Sequence, residues 1–464
     1  MSTQEKPTKT VAIIGAGLVG SLASVYFAIH GYQVNIYDKR PDIRNKANAD
    51  KLNKRSINLA LSHRGISALK KSGLNLDKLI LKNCIPMKGR MIHDLNGNQT
   101  SQAYGTEEQF INSVDRGLLN EKLLTEALNF DNVQVYFEYQ LVSMDLDNTE
   151  LKFKVNDNFE HVKADFIIGC DGAYSKIRQE MMKKVNLNYS QEYIEHVYCE
   201  LTIPPQILED NTKEYKMNPN HLHIWPRHSY MMIALPNLDK SFTCTLFGPK
   251  QQIDAIKTET QLFSLFSKDL ADSIGLIGWN NLAKEYFQNP KGSLLSVKCS
   301  PHHYKEKCIL LGDSAHCMVP FYGQGMNCGF EDVETLFSIM DEFDLHDKSL
   351  TSSEFCSKLE KVFNTYSETR VKDTHAICDL ALYNYTEMRS SVTSYGYLIR
   401  KKVEAWLHKL IPDSVIPLYT MVSFSSIPYS QAIKKWKFQT KLLKWLGYVK
   451  SIIGLVTIKG IISR

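Results

Sequence analysis

The chain has 464 residues, 43% of them hydrophobic and 23% charged, with a formal net charge of +5. Apolar content of that size, with no low-complexity tract, supports a large core in two or three structural units and excludes a disordered or fibrous protein. Ten cysteines without a Cys-x-x-Cys pair, and a short polar Met1–Thr10 segment without an apolar signal core, exclude a disulfide-stapled secreted scaffold and favour reduced thiols in a cytosol-facing compartment.

The first expected element is a strand over Thr10–Ile14, followed by Gly15-Ala-Gly17-Leu-Val-Gly20 and a helix over Ser21–His30 that stops at Gly31. This is the strand, glycine turn and helix of a dinucleotide fold. One glycine makes the tight turn, one lets backbone approach a pyrophosphate, and one allows close helix packing. A second strand over Gln33–Tyr37 ends in Asp38, an acid placed to accept from an adenosine ribose hydroxyl. Its charge argues against a 2′-phosphate, and so against NADP at this site; FAD and NAD both remain open.

Residues about 71–105 and 190–295 alternate apolar and polar positions between turn residues, as in Tyr198–Ile203, His221–Trp225, Tyr230–Leu235 and Phe242–Phe247. That pattern predicts a mostly antiparallel sheet. Between these two stretches, Asp165-Phe-Ile-Ile-Gly-Cys-Asp171-Gly172 reads as a buried strand and a turn. A helix then starts at which Ser175 caps and Arg178 reaches toward an anion.

The strand Cys308–Leu311 leads into Gly312–Asp332, and helical spacing follows over Phe330–Met340. Asp313 sits at the strand end, Pro320 is expected to hold the loop extended, and Gly323, Gly325 and Gly329 let backbone approach a ligand. Met326 and Asn327 then open the helix, where free N–H groups favour an acceptor-rich or anionic partner such as the pyrimidine edge of a flavin. Cys308, Cys317 and Cys328 lie near this loop but are spaced too widely for a zinc set, so no metal is expected.

Beyond Ser353 the pattern is helical, broken by Pro412, Pro417 and Pro428. From Arg400 to Arg464 twelve Lys or Arg stand against Glu404 and Asp413, so the rest of the chain is net acidic and no nucleic-acid partner is expected. From Gln431 on, Lys434, Lys437, Lys441 and Lys444 share one helical face, and Trp436, Leu442, Leu443, Leu446 and Val449 share another. Apolar stretches such as Ser451–Ile458 are too short for a spanning helix, which needs roughly 20 residues. The helix suits either an anionic membrane surface or docking on the protein's own core.

Together the three glycine-containing motifs, in this order, resemble the single-component FAD-dependent aromatic hydroxylases. More closely, Lys54–Gly65, Gly89-Arg90-Met-Ile-His93, Tyr104-Gly105, Asn384-Tyr-Thr-Glu387-Met-Arg389 and Ile416–Phe424 resemble the kynurenine 3-monooxygenase family over nearly the whole chain. The resemblance implies an α/β fold with a Rossmann-type FAD-binding domain in three segments (8–70, 106–189, 296–352). An interleaved antiparallel-sheet substrate domain (71–105, 190–295) and a helical C-terminal region (353–464, with the tail from about 431) complete it.

The resemblance also implies FAD as bound cofactor. Val19, Tyr37, Asp38, Lys39 and Arg40 would lie at its adenosine end, and Ala60, Arg116 and Leu141 along it. Asp171 belongs to the same site, and Asp313, Gly325, Met326 and Asn327 would take the ribityl and ring. Two departures are small: Asp38 stands where Glu is usual, and Cys328 where a small residue such as Ala is common.

The implied substrate is L-kynurenine. Arg90 would bind its carboxylate with Tyr104 as partner, Asn384 would contact it, Glu387 would face its ammonium, and Tyr419 would close the pocket. NADPH and O2 are the implied cosubstrates, NADPH binding transiently because no second dinucleotide motif is present, with oxygen activated as a flavin C4a-hydroperoxide. No side chain is expected to be catalytic in itself, and His63, His93 and His316 read as structural. The implied location is the cytosol-facing mitochondrial outer membrane, although this tail is weakly hydrophobic for an anchor. A flavin hydroxylase of another aromatic acid, and a non-catalytic prenyl-protein escort of the same broad fold, stay open at this point.

Overall fold

The computed structural model describes residues 8–45, 58–105, 108–390, 403–404, 406–408, 410–411 and 414–442. The Lys54–Ile57 part of the family motif and the tail from Leu443 on, including Lys444, Leu446 and Val449, lie outside the described residues.

The strand Thr10–Ile14 is buried along almost its whole length, as its unbroken apolar run requires of a central parallel strand. It pairs in parallel with Gln33–Asp38 on one side and Phe166–Gly169 on the other, Ile13 standing in register with both Ile36 and Ile168. Val133–Phe137 and Cys308–Leu310 extend this sheet to either side in parallel, and His303–Tyr304 closes one edge antiparallel. Segments far apart in sequence therefore build one six-stranded sheet. Helices Leu18–Ile29, Arg116–Leu128 and Gly325–Glu342 bring Leu22, Phe27, Leu123, Phe330 and Phe337 into one core with the sheet's Ile13, Ile36 and Phe166. A separate core, which includes Tyr37 and Phe153, joins the sheet to the antiparallel ribbon Gln140–Lys163.

The second large sheet has seven strands, in the order Gly292–Ser300, Asn188–Ile203, Phe242–Pro249, Tyr230–Pro236, His221–Arg227, Gly89–His93 and Gln99–Ala103. Every pairing is antiparallel except that of His221–Arg227 with Gly89–His93. One face packs on helices between Glu259 and Gln288 through Trp225, Phe242, Phe266 and Tyr286. The other supplies Ile224, Met231 and Phe247 to a core shared with Phe321, the long helix Ser352–Ser390 and Met421. A short three-stranded sheet, Leu59–Leu61, Ile111–Val114 and Ile85–Met87, lies between the two large ones in the chain's path.

Several boundaries differ from the sequence expectation. The first helix begins at Leu18 rather than Ser21, because Gly20, read as loop, belongs to its first turn, whereas the loop helix begins at Gly325, one residue before the Met326 opening expected from sequence. Pro320 does not extend its loop but opens a 3-10 turn, Pro320–Tyr322, where its fixed φ and missing N–H are both acceptable. A helix over 429–442 buries Tyr429 and Ala432 completely and packs Trp436 against Tyr383 at 5.0 Å, while Lys434, Lys437, Lys441 and Phe438 are exposed. Within the described part of the tail, then, one face docks on the protein's own core.

Candidate active site

A cavity of about 630 Å³ runs from the Gly15 turn, past the Gly325 helix, to the seven-stranded sheet. Gly15, Gly17, Val19, Tyr37, Asp38, Lys39, Arg40, Ala60, Arg116, Leu141, Asp171, Asp313, Gly325, Met326, Arg90 and Tyr419 all line it. Of the residues singled out from sequence, Gly20, Asn327, Tyr104, Asn384 and Glu387 do not.

At the dinucleotide end the glycines have separate tasks. Gly15 has φ of +108°, and a Cβ there would stand 2.4 Å from the Cys170 carbonyl oxygen. A Cβ on Gly20 would stand 1.9 Å from Gly15 O, so this residue packs the helix on the turn and does not face a ligand. Gly17 differs: a Cβ there meets nothing within 4 Å, which leaves an open cradle in the cavity wall at the N-terminus of Leu18–Ile29.

The Asp38 carboxylate is buried, and its lone pairs are committed. It accepts from the Ala16 N–H at 2.8 Å, the Arg40 N–H at 2.8 Å, and Arg40 Nε and Nη2 at 3.0 and 2.8 Å. Burial works to raise its pKa, but the Arg40 guanidinium and these N–H groups hold it below the usual carboxylate range. Asp38 thus holds Arg40 at the cavity rim in this structure; the ribose contact expected from sequence requires Arg40 to move off it.

Asp171 caps the following helix with one oxygen, accepting from the Lys176 and Ile177 N–H groups at 2.6 and 3.1 Å. Its other oxygen is buried at the cavity with no hydrogen-bond partner, and burial raises its pKa. Leaving such an acceptor unmet costs about 1–3 kcal/mol, which a ligand hydroxyl would recover. Asp313 opens on the same cavity, and the surrounding protein raises its carboxyl while Arg116 opposes the shift. Gly325–Glu342 begins without a side-chain cap, so the N–H groups of its first turn are free toward the cavity where Gly325 and Met326 line it. The open Gly17 cradle, the orphaned Asp171 oxygen and this uncapped helix fit the phosphates, polyol and ring edge of FAD.

At the sheet end, Arg90 is 4% exposed and lies with its guanidinium 4.8 Å from the Tyr419 ring centre and 5.8 Å from that of Tyr104. The Tyr104 and Tyr419 rings stack at 5.0 Å and 11°, and Tyr322 stacks on Tyr419 at 5.6 Å. Burial pushes the Tyr104 hydroxyl well above its ordinary pKa, with Tyr419 adding to the shift and Arg90 opposing it. Glu387 comes within 3.9 Å of Arg90 Nη1. Asn384 is buried, donating to the Phe321 carbonyl at 2.7 Å, so it holds the loop that carries Phe321 and Tyr322.

Asn327 also serves protein: its amide donates to Ala60 O and Gly323 O at 2.8 Å each and accepts from the Ser62 N–H at 2.9 Å. Arg178 does not reach for an anion. It is buried, donating to the carbonyls of Ser314 and Ala173 at 2.6 Å. None of the three histidines singled out lines the cavity: His93 bonds Asp272 and His223, His316 bonds Asp332, and His63 bonds Ser426.

The antiparallel sheet read from the alternation, Tyr230–Pro236 included, supplies an apolar wall of the cavity through Met231, Ile233 and Leu235 with Leu222 and Phe247, and Phe321 joins them. Sequence reasoning missed a buried ionic network beneath the flavin loop. Asp332 accepts from the Gly312 N–H at 2.9 Å and from Arg370 at 2.7 Å and pairs with His316 at 2.6 Å, while Glu331 joins Arg370 to Arg64. Arg64 in turn lies 3.9 Å over the Tyr429 ring.

A family model described as an FAD binding domain matches residues 8–343. The chain is 44% identical to a kynurenine 3-monooxygenase of Sus scrofa, over 98% of this chain and 93% of that one. It is also 44% identical to one of Candida albicans, over 99% and 98%. The chain belongs to the kynurenine 3-monooxygenase family. It is therefore an FAD-dependent monooxygenase, and the reading as a non-catalytic escort falls. A solved 2-methyl-3-hydroxypyridine-5-carboxylic acid oxygenase, 17% identical, superposes with a TM-score of 0.63 over 84% of this chain and 96% of its own, which shows the shared fold.

Proposed function

We propose that this chain hydroxylates L-kynurenine to 3-hydroxykynurenine with NADPH and O2, and that Arg90 selects the substrate by its carboxylate. The observation that carries the assignment is a buried guanidinium at the apolar end of a cavity whose other end fits FAD. When bound, FAD supplies hydride acceptance and oxygen activation.

The chain's residues supply position and exclusion. Arg90 offers a planar pair of donors to a carboxylate, and a buried charge-assisted bond of that kind fixes orientation as well as affinity. Tyr419 and Tyr104 hold the guanidinium from the ring side. Glu387 stands beside Arg90, 3.9 Å from its Nη1, though outside the cavity lining; on this reading it balances the guanidinium and turns to the substrate ammonium when the substrate is bound. Met231, Ile233, Leu235 and Phe247 keep water from the aromatic ring. The free N–H groups at Gly325 and Met326 would hold the acceptor edge of a bound flavin ring and would favour its anionic reduced form.

NADPH binds only in passing on this reading, since the one dinucleotide turn is committed to FAD. We further propose that the enzyme works at the cytosol-facing mitochondrial outer membrane, held by the basic tail. No helix of the described residues is long and apolar enough to cross a membrane.

The test is NADPH oxidation by the purified yellow protein with kynurenine titrated in and the product identified. Stimulation with stoichiometric 3-hydroxykynurenine is expected. Stimulation by another aromatic acid and none by kynurenine would move the substrate assignment elsewhere in the class.

A further inference from the structure

The two helices that open on the flavin cavity also meet at their other ends, about 18 Å away along the shorter one. His30 caps Leu18–Ile29, and Asp341 and His346 lie at and just past the end of Gly325–Glu342. His346 Nε2 is 3.3 Å and His30 Nε2 4.0 Å from Asp341 Oδ1, and the three ligand atoms lie within 4.8 Å of one another.

The rings are held for this arrangement. They stack on each other at 4.0 Å and 27°, with Phe337 packed against His30 at 5.1 Å and His346 at 5.9 Å. His30 Nδ1 donates to the Tyr26 carbonyl at 2.7 Å, and His346 Nδ1 lies 3.3 Å from the Tyr32 hydroxyl. Partners of that kind on one ring nitrogen fix the ring and aim the other nitrogen at a metal. His346 Nε2 is itself buried and makes no hydrogen bond, although it stands within ion-pair distance of Asp341. Both helices also direct the negative ends of their dipoles here, which favours a cation.

We propose that His30, Asp341 and His346 bind a divalent transition ion of the zinc class. Two imidazole nitrogens and one carboxylate suit such an ion, with a fourth position left for water. Ligand bonds of about 2.0–2.2 Å in a tetrahedron place donor atoms roughly 3.3–3.6 Å apart, so the observed spacing closes with small side-chain rotations. The ion straps the ends of two helices whose opposite ends line the flavin cavity. A second convergent set among the described residues, His316, Cys328 and Asp332, carries no such proposal, because the Arg370 guanidinium already occupies Asp332 at 2.7 Å.

The test uses the full-length holoenzyme without a histidine tag, titrated with Zn2+ by calorimetry and followed by thermal unfolding. One ion per chain is expected, with an unfolding midpoint that climbs as Zn2+ is added. Asp341→Asn and His346→Gln are each expected to weaken binding roughly tenfold or more. Asp341 is 63% exposed, so its variant folds whatever becomes of His346. Absence of saturable binding, or Zn2+ binding as tight in both variants as in the unaltered chain, overturns the proposal and leaves an Asp–His ion pair.

Discussion

Replacing Arg90 with Met removes the charge assigned to the substrate carboxylate while keeping an unbranched apolar side chain at a site that is 4% exposed. In the substrate complex the kynurenine carboxylate is then left in an apolar wall without its cation. Truncating one partner of a buried charge pair costs about 2–5 kcal/mol. At about 1.4 kcal/mol per tenfold, that is a loss of roughly 30- to 3,000-fold in kcat/KM, carried mainly by KM.

FAD content should be unchanged, because the Gly17 cradle, Asp171 and the Gly325 helix are untouched. The decisive assay crosses the variant with the substrate: kcat/KM is measured for kynurenine and for its decarboxylated amine, with both enzymes. The unaltered enzyme should lose most of its efficiency on the amine, and Arg90→Met should lose little more. Equal discrimination by both enzymes would show that Arg90 does not meet the carboxylate. Loss of flavin from the variant would give Arg90 a cofactor role instead.

Gly17→Ala should fold with an unchanged unfolding midpoint as apoprotein yet lose FAD, because its Cβ meets no protein atom. Gly20→Ala should damage the fold itself through the 1.9 Å approach to Gly15 O; the A450 to A280 ratio and apoprotein melting separate the two. Asp332→Asn should destabilise by up to about 3–5 kcal/mol in urea titration, since it removes one of the two carboxylates paired with the buried Arg370 and leaves Glu331 as the other. Burial opposes ionisation of Asp332, but His316 and Arg370 hold its carboxyl far below the unfolded value of about 4, so the stabilisation is complete above that value and fades on acidification. The variant's midpoint should therefore fall less steeply than the parent's as the pH drops below 4. Glu200 behaves oppositely: burial raises it to about 7 with Arg116 opposing, and one oxygen has no hydrogen-bond partner. Stability is lost as pH rises from the unfolded glutamate range to 7, so Glu200→Gln should melt higher than the parent at pH 8, by a margin that narrows toward pH 5. Truncation after Leu442 should release the protein from membranes without lowering its midpoint. Truncation from Gln431 should destabilise it, because Ala432 and Trp436 belong to the core.

The strand Thr10–Ile14 was legible to the residue because an apolar run bounded by a glycine turn has only one reading in a parallel sheet. Helix starts were less so. Gly17, Gly20, Gly325 and Gly329 have low helix propensity, yet tertiary packing and the ligand surface place three of them inside helices and Gly17 at a cap. The seven-stranded sheet was legible as alternation, but one parallel pair, His221–Arg227 with Gly89–His93, depends on a pairing across more than a hundred residues. Arg90 entered through family resemblance alone, since a single Arg on a short strand carries no local signal.

The harder part was direction. A motif states that backbone passes close to a ligand; it does not state which way each polar side chain turns. Asn327 lies within the flavin loop, yet its amide is spent on Ala60, 267 positions earlier in the chain. Asn384 lies in the substrate motif but fastens Phe321, and Arg178 lies in the Asp-Gly motif but fastens Ser314. In each case buried backbone groups of a ligand-facing loop need partners, and a nearby polar side chain satisfies them. Residues of this kind are positioning residues. Substituting them should loosen the loop and lower kcat together with FAD affinity, whereas a change at Arg90, on the carboxylate role proposed for it, should act mainly on KM.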